Sequence, residues 1–320
     1  MANCHSIFIK FNESITLTSS RKSSLRSSRN SLRSTIRKYI KDEKPDETQP
    51  MFHGQGSFAM NTAVNPIPDD EKLKYDLDDG IYFMDDIEKR KDVATYHNWI
   101  RDAVGEHTKE SVIDKNSCVR VTFSDGHHID LPIYFKNKEG NVIPELAHKS
   151  KGWTQSDPKV FVKWFRENKN DQIIRLVKYS KAWLDKKSSS SKMLSGFAMT
   201  ILIVNNYNKD ERDDIALLET MKAIKATLSL SFVCYRPTPD RNENLFDKYS
   251  QQQKDNFINK LSKLIDDGDK AIENPNQRTA SEKWQKHFGS RYPSHLANDE
   301  LEEENVYDAP AIIKASAKSS

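Results

Sequence analysis

Three aspartates carry the chemical promise of this 320-residue chain: Asp76 and Asp78 in KYDLDDGIYF, and Asp130 in HIDLPIYF. Alternation along a strand sends Asp76 and Asp78 to one face and Leu77 to the other. A neighbouring strand can bring Asp130 to the same spot. Two unit charges about 4 Å apart repel by roughly 4 kcal/mol at an effective dielectric near 20, so such a trio needs a neutralising partner. Hard divalent cations supply one, because carboxylate and phosphate oxygens are their preferred ligands. Asp130 is the strongest single signal: an acid among Ile129, Leu131, Ile133 and Tyr134 is costly unless paired or metal-bound. The expectation is two Mg²⁺ ions, with Mn²⁺ as a substitute, held by Asp76, Asp78 and Asp130. Two ions about 4 Å apart support in-line displacement at phosphorus by a sugar hydroxyl, with pyrophosphate leaving.

Upstream lies Gln55-Gly56-Ser57 in GQGSFAMNT. Glycine lets a backbone approach phosphate closely, and Ser57 offers a hydroxyl plus amide donors where a helix begins. Alone, Gly-Ser is more often a turn. DLDDG alone also fits a solvated strand end or a calcium loop, although the twelfth position from Asp76 is Ile87 where such a loop needs Glu. The order of the three pieces favours nucleotidyl transfer.

These residues need a sheet to hold them. Leu25, Leu32, Ile36 and Ile40 recur on one side of a long helix over 20–40, closed by Pro45 and Pro50. A short strand or turn leads into GQGS, and a loop with Pro66 and Pro68 follows. Residues 74–84 read as a strand, 88–104 as a helix, and 118–123 with 127–135 as a strand pair turned at Ser124-Asp125-Gly126. Beyond about residue 150 the pattern is helical. Ser156-Asp157-Pro158 opens a helix to Phe165. Others are expected at 171–184, 193–206, 213–232, 250–267 and 280–288, with 186–192 as a linker. The expected architecture is α+β: a small mixed sheet with helices over 1–155, a helical lobe over 156–293, and a disordered tail over 294–320. The acids would form the floor of the cleft between the lobes.

Bulk charge is nearly balanced, 50 Lys+Arg against 47 Asp+Glu, but the segment from Ser14 to Lys41 contains no acid. That segment resembles a transit peptide in composition, yet its apolar stripe suits a folded helix. A helix buttressing the lobes and lending positive potential to the cleft is favoured over one that binds RNA or a membrane surface. Cys4, Cys118 and Cys234 lie far apart, which argues against a zinc site or a disulfide framework and fits a cytoplasmic protein. No apolar run reaches membrane-spanning length. His127-His128 invites a metal-ligand reading, but strand neighbours point oppositely, so a turn and strand entry is favoured. Trp153, Trp164 and Trp183 are expected at the lobe interface, and Asp240 and Asn244 in a loop able to read a base edge.

GQGSF, DLDDGIY and HIDLPIY together resemble the cGAS/DncV-like nucleotidyltransferases, bacterial synthases of cyclic oligonucleotide messengers, and most closely the DncV-like branch. The resemblance runs from the long N-terminal helix to about Pro293. It implies a polymerase-β-like core with a helical second lobe. It also implies magnesium-dependent condensation of nucleoside triphosphates (ATP and/or GTP) into a cyclic di- or trinucleotide, read by a downstream effector in anti-phage defence. Gly56 and Ser57 match the family's phosphate contacts, and Asp76, Asp78 and Asp130 its metal ligands. Lys178 in LVKYSKAW and Ser195 in LSGFAMT match a lysine and serine that meet the triphosphate. Nothing matches the zinc insertion of the animal DNA sensor, so DNA activation by that route is not expected. The ending Ala-Lys-Ser-Ser speaks against conjugation through the last residue. Two other readings stay open: a nucleotidyltransferase making linear oligomers or modifying protein or RNA, and a non-enzymatic nucleotide- or RNA-binding module using the basic helix.

Overall fold

The computed structural model describes residues 1–67, 75–140, 142–238 and 243–298. The central strand is β2 (Asp76–Asp85), rich in the β-forming residues that pack well on a pleated surface. On one side it pairs antiparallel with β1 (Met51–Gln55), placing Gln55 opposite Asp78. On the other side it pairs parallel with β5 (His128–Leu131) and then β6 (Ile133–Asn137). The partners Asp76↔His128, Asp78↔Asp130 and Ile81↔Ile133 keep one offset, so β5 and β6 are a single path interrupted at Pro132. Proline has no N–H for the ladder; its carbonyl still accepts from the Ile81 N–H at 2.8 Å. Strands β3 (Val112–Asp114) and β4 (Val119–Thr122) extend the sheet antiparallel beyond β5. Strands β7 (Glu145–His148) and β8 (Gly152–Gln155) extend it beyond β6. The sequence pattern missed β3, β7 and β8, which are only three or four residues long.

Alternation splits the sheet chemically. Leu77, Ile81, Phe83, Ile129, Leu131, Ile133 and Phe135 bury one face against α2 (Ser19–Glu43) and α4 (Val93–Val104). Helix α2 contributes the expected stripe, Leu25, Leu32, Ile36 and Ile40, all fully buried. Asp79 belongs to this face and is 0 % exposed; the Arg33 guanidinium grips it at 2.7 and 2.5 Å. The opposite face carries Asp76, Asp78 and Asp130.

The second lobe comprises α5 (Pro158–Asn168), α6 (Asp171–Ser188), α7 (Gly196–Asn205), α8 (Asp213–Leu230), α9 (Gln251–Glu273) and α10 (Gln277–Phe288). Helix α1 (His5–Ile15), which the sequence pattern did not separate from the sheet unit, packs here instead. Its Phe8 and Phe11 lie against Tyr179, Phe288 and Tyr292, so residues 5–15 belong to the helical core rather than the sheet core. Helix α6 runs four residues past its expected end, absorbing the first three residues of the supposed seven-residue linker. Trp183 is buried inside this lobe against Phe257, and Trp153 lies on the sheet beside Tyr96, so neither packs the lobe interface. Most of the expected tail, from residue 299 onward, lies outside the described residues; Ser294–Leu296 forms a 3₁₀ turn, and the Asn298 N–H donates to Gln277. Among the described residues no helix is long and apolar enough to cross a membrane.

Candidate active site

The parallel register between β2 and β5 builds the acidic centre. It sets Asp78 beside Asp130 and Asp76 beside His128. Burial, followed by the neighbouring charges of Asp76 and Asp130, pushes the Asp78 carboxyl well above the ordinary carboxylate range; Arg120 and Lys181 oppose the shift without cancelling it. Asp130 is held by Arg120 on β4, its register partner, through two hydrogen bonds of 2.6 Å. One ligand atom each from Asp76, His128 and Asp130 lie within 4.8 Å of one another. A divalent ion with bonds of about 2.1 Å separates its ligands by roughly 3 to 4.2 Å, so these residues fit such an ion. Each Asp130 oxygen retains lone-pair capacity beyond Arg120.

Gly56 opens α3 (Gly56–Ala59), a single turn directly after β1. Its φ of +66° lies in the left-handed region, and a Cβ there would stand 2.0 Å from Asp78 Oδ2. Only glycine allows both the turn and the approach. Ser57 lines a cavity of about 450 Å³ together with Asn65, Tyr75, Asp76, Lys181, Asp185 and Gly196. That volume lies within the range of small-molecule sites. Asn65 ties the near wall to the α1–α2 corner by donating to the Ser14 and Thr16 carbonyls. Arg291 clamps the same wall to the helical lobe through the Asn65 and Ala182 carbonyls.

The structure separates the expected Lys178 from the cavity. Lys178 is buried and donates to Thr16 Oγ1 at 3.0 Å, and it does not line the cavity. Lys181, three residues on and so nearly a turn further along the same side of α6, does line it. Its ammonium donates to the Thr62 carbonyl and hydroxyl at 3.0 Å, and desolvation pulls its pKa down to about 8 despite Asp76, Asp185 and Asp78. A Cβ on Gly196 would meet Lys181 Cε at 3.2 Å, so the bare start of α7 makes room for this side chain. Ser195 caps α7, its hydroxyl accepting from the Ala198 N–H at 3.1 Å, with Gly196 at the cavity wall beside it. Gln55 is buried; its amide donates to the Tyr134 hydroxyl at 3.2 Å, while its Oε1 has no partner.

Arg120 and Lys181 are not singled out by the sequence, and His128 reads there as a strand-entry residue. The alternation that joins Asp76 to Asp78 also joins His128 to Asp130, and that signal was available. His127 is a turn residue as expected: its ring bonds Asp125 and Ser28 and stacks on Phe123 at 4.5 Å. Asn244 ties its own loop, accepting from the Cys234 and Phe246 N–H groups; Asp240 lies outside the described residues.

Comparison with known proteins bears on the family and the fold. Residues 50–134 match the family described as cyclic GMP-AMP synthase DncV-like, nucleotidyltransferase domain, and residues 170–302 match the cyclic GMP-AMP synthase C-terminal domain. A cyclic GMP-AMP synthase of Escherichia albertii is 29 % identical over 201 residues, covering 59 % of this chain and 44 % of that protein. One from Escherichia coli (strain TW11681) is 24 % identical, covering 60 % of this chain and 55 % of that protein. The matched region thus spans about half the length of these two relatives. The Vibrio cholerae cyclic GMP-AMP synthase is 25 % identical over 82 % of this chain and 72 % of its own. Among solved structures, Vibrio cholerae DncV with the linear intermediate 5′ pppA(3′,5′)pG superposes with a TM-score of 0.79 at 19 % identity, covering 93 % of this chain and 98 % of that one. Its apo form gives 0.77 at 22 % identity, covering 92 % and 97 %. At these identities the superposition shows the shared fold.

Proposed function

Because this chain belongs to the DncV-like nucleotidyltransferases, we propose that it condenses nucleoside triphosphates into a cyclic di- or trinucleotide and releases pyrophosphate. The observation that carries this reading is the convergence of Asp76, Asp78 and Asp130 on one sheet face, with Ser57 and Lys181 on the walls of the adjoining cavity. In each step a ribose hydroxyl oxygen bonds to an α-phosphorus, the bond from that phosphorus to pyrophosphate breaks, and the hydroxyl proton is lost. Bound Mg²⁺ would lower the pKa of that hydroxyl and neutralise the leaving charge. The chain's own part is positioning. Asp76, Asp78 and Asp130 would hold the cations. Gly56 would let the backbone approach the phosphates, and Ser57 would donate its hydroxyl to them. Lys181 would meet the triphosphate charge, while Lys178 braces the α1–α2 corner through Thr16. The linear intermediate captured on the Vibrio cholerae relative supports a second, ring-closing displacement by the same chemistry. The product would serve as a messenger to an effector in anti-phage defence, within the cytoplasm. Incubation with all four nucleoside triphosphates and Mg²⁺ should yield a phosphatase-resistant product whose mass gives the ring size. A product with phosphatase-sensitive ends would overturn cyclisation.

Two further results follow from the walls of the site. With its pKa at about 8, Lys181 carries its charge below that pH and loses it above. The KM for triphosphate is therefore expected to climb as pH rises through 8, and to stay level over that range in Lys181→Arg. Lys181→Met should raise KM by about tenfold to a hundredfold even at pH 7, as losing a hydrogen bond to a charged group does. Steady-state KM measured from pH 7 to 9.5 checks both. Gly56→Ala drives a methyl group into Asp78. Displacing a catalytic group by an ångström costs about a hundredfold, and turnover in single-time-point assays should fall by at least that much. Wild-type turnover in this variant would remove the close approach from the mechanism.

A further inference from the structure

His128 is left over by a purely acidic account of the site. It is 7 % exposed, yet its ring makes no hydrogen bond among the described residues. Other buried histidines are bonded at one or both ring nitrogens: His97 to Asp114 and the Ala147 carbonyl, His127 to Asp125 and Ser28, and His287 through Nε2 to Asp267. What His128 does face is Asp76, its register partner on β2, and Asp130, two residues along on the same face. A ring nitrogen of His128 stands within 4.8 Å of an oxygen of each.

We propose that His128 is a nitrogen ligand to the cation held by Asp76 and Asp130, and that it biases this site toward Mn²⁺ over Mg²⁺. The inference rests on reading the aspartates as a metal site. Mg²⁺ favours oxygen donors and keeps its waters, whereas imidazole suits first-row transition ions. An O,O,N set is thus a weaker fit for Mg²⁺ than three carboxylates and a better one for Mn²⁺. Asp78 remains an oxygen donor for the ion that accompanies the triphosphate, so the two metal positions would differ in character. Alternation makes the division possible: residues 128 and 130 share a face, while Ile129 between them fills the core.

The test uses the full nucleotide-free chain. Calorimetric titration with Mn²⁺ and, separately, Mg²⁺ should show His128→Asn weakening Mn²⁺ by about tenfold or more while changing Mg²⁺ by less than about threefold. Equal weakening of both ions, or of neither, overturns the proposal. Pulsed electron paramagnetic resonance of the wild-type Mn²⁺ complex needs no variant and decides the matter if His128→Asn fails to fold. Coupling to a ¹⁴N nucleus is the expected result, and its absence refutes ligation. Asp130→Asn tests the underlying premise separately: it should lose affinity for both ions, and undiminished binding would sink the metal-site reading itself.

Discussion

Asp78→Asn is expected to abolish nucleotide condensation, by about a thousandfold or more, while making the metal-free protein more stable. The first half follows from electrostatics. Cation stabilisation of the displacement is worth several kcal/mol, and each 1.36 kcal/mol is about tenfold in rate. Asparagine keeps the shape but has no charge with which to hold the ion. The second half follows from the raised pKa of Asp78, caused by burial and then by Asp76 and Asp130. A carboxyl with a folded pKa above its unfolded value binds its proton more tightly when folded. The metal-free wild type should therefore gain stability as pH falls through that raised value, levelling off below the unfolded value of about 3.9. Asp78→Asn should lack this rise. Thermal melts from pH 4 to 8, with and without Mg²⁺, separate the two effects. With nucleotide present, wild type should gain more stability from Mg²⁺ than the variant does. A variant that forms product at the wild-type rate would remove Asp78 from the site.

Arg33→Met should be the most damaging single change to stability. The next residue along β2, Asp79, turns to the other face and is buried completely, and two hydrogen bonds from Arg33 on α2 are its counter-charge. Removing one partner of a buried pair leaves an uncompensated charge and costs about 3–5 kcal/mol. Arg33→Met with Asp79→Asn should recover most of that loss, because the orphaned charge is then gone. Urea unfolding of the two single variants and the double variant gives the coupling directly. A loss below about 1 kcal/mol in Arg33→Met would show that Asp79 finds other solvation. The contrast with Asp78 is instructive. Adjacent aspartates on one strand serve opposite ends, one fixing the long basic helix to the sheet and the other standing beside Asp130 and Gly56 on the acidic face.

The basic helix near the N-terminus shows how far local pattern reaches. Its apolar stripe was plain from spacings of seven and four, and the structure buries each of those residues. What its arginines do was not plain. Arg33 binds Asp79, Arg21 binds Asn65, and Arg26 and Arg37 lie over the rings of Phe58 and Phe52. Helix α1 went unseen because the partners of its apolar face are distant in the chain, at Tyr179, Phe288 and Tyr292.

The acids, the glycine turn beside them and most of the longer helices and strands belong to the sequence alone. Periodicities of 2 and 3.6 are properties of neighbouring residues, and they survive in a bare string of letters. The counter-charges belong to the tertiary structure. Arg120 reaches Asp130 only through the β4–β5 register, and Lys181 rather than Lys178 reaches the cavity only through the way α6 is seated. His128 joins Asp76 only because β2 and β5 run parallel with that offset. Long-range electrostatic partners are set by register and helix rotation, which no local spacing encodes.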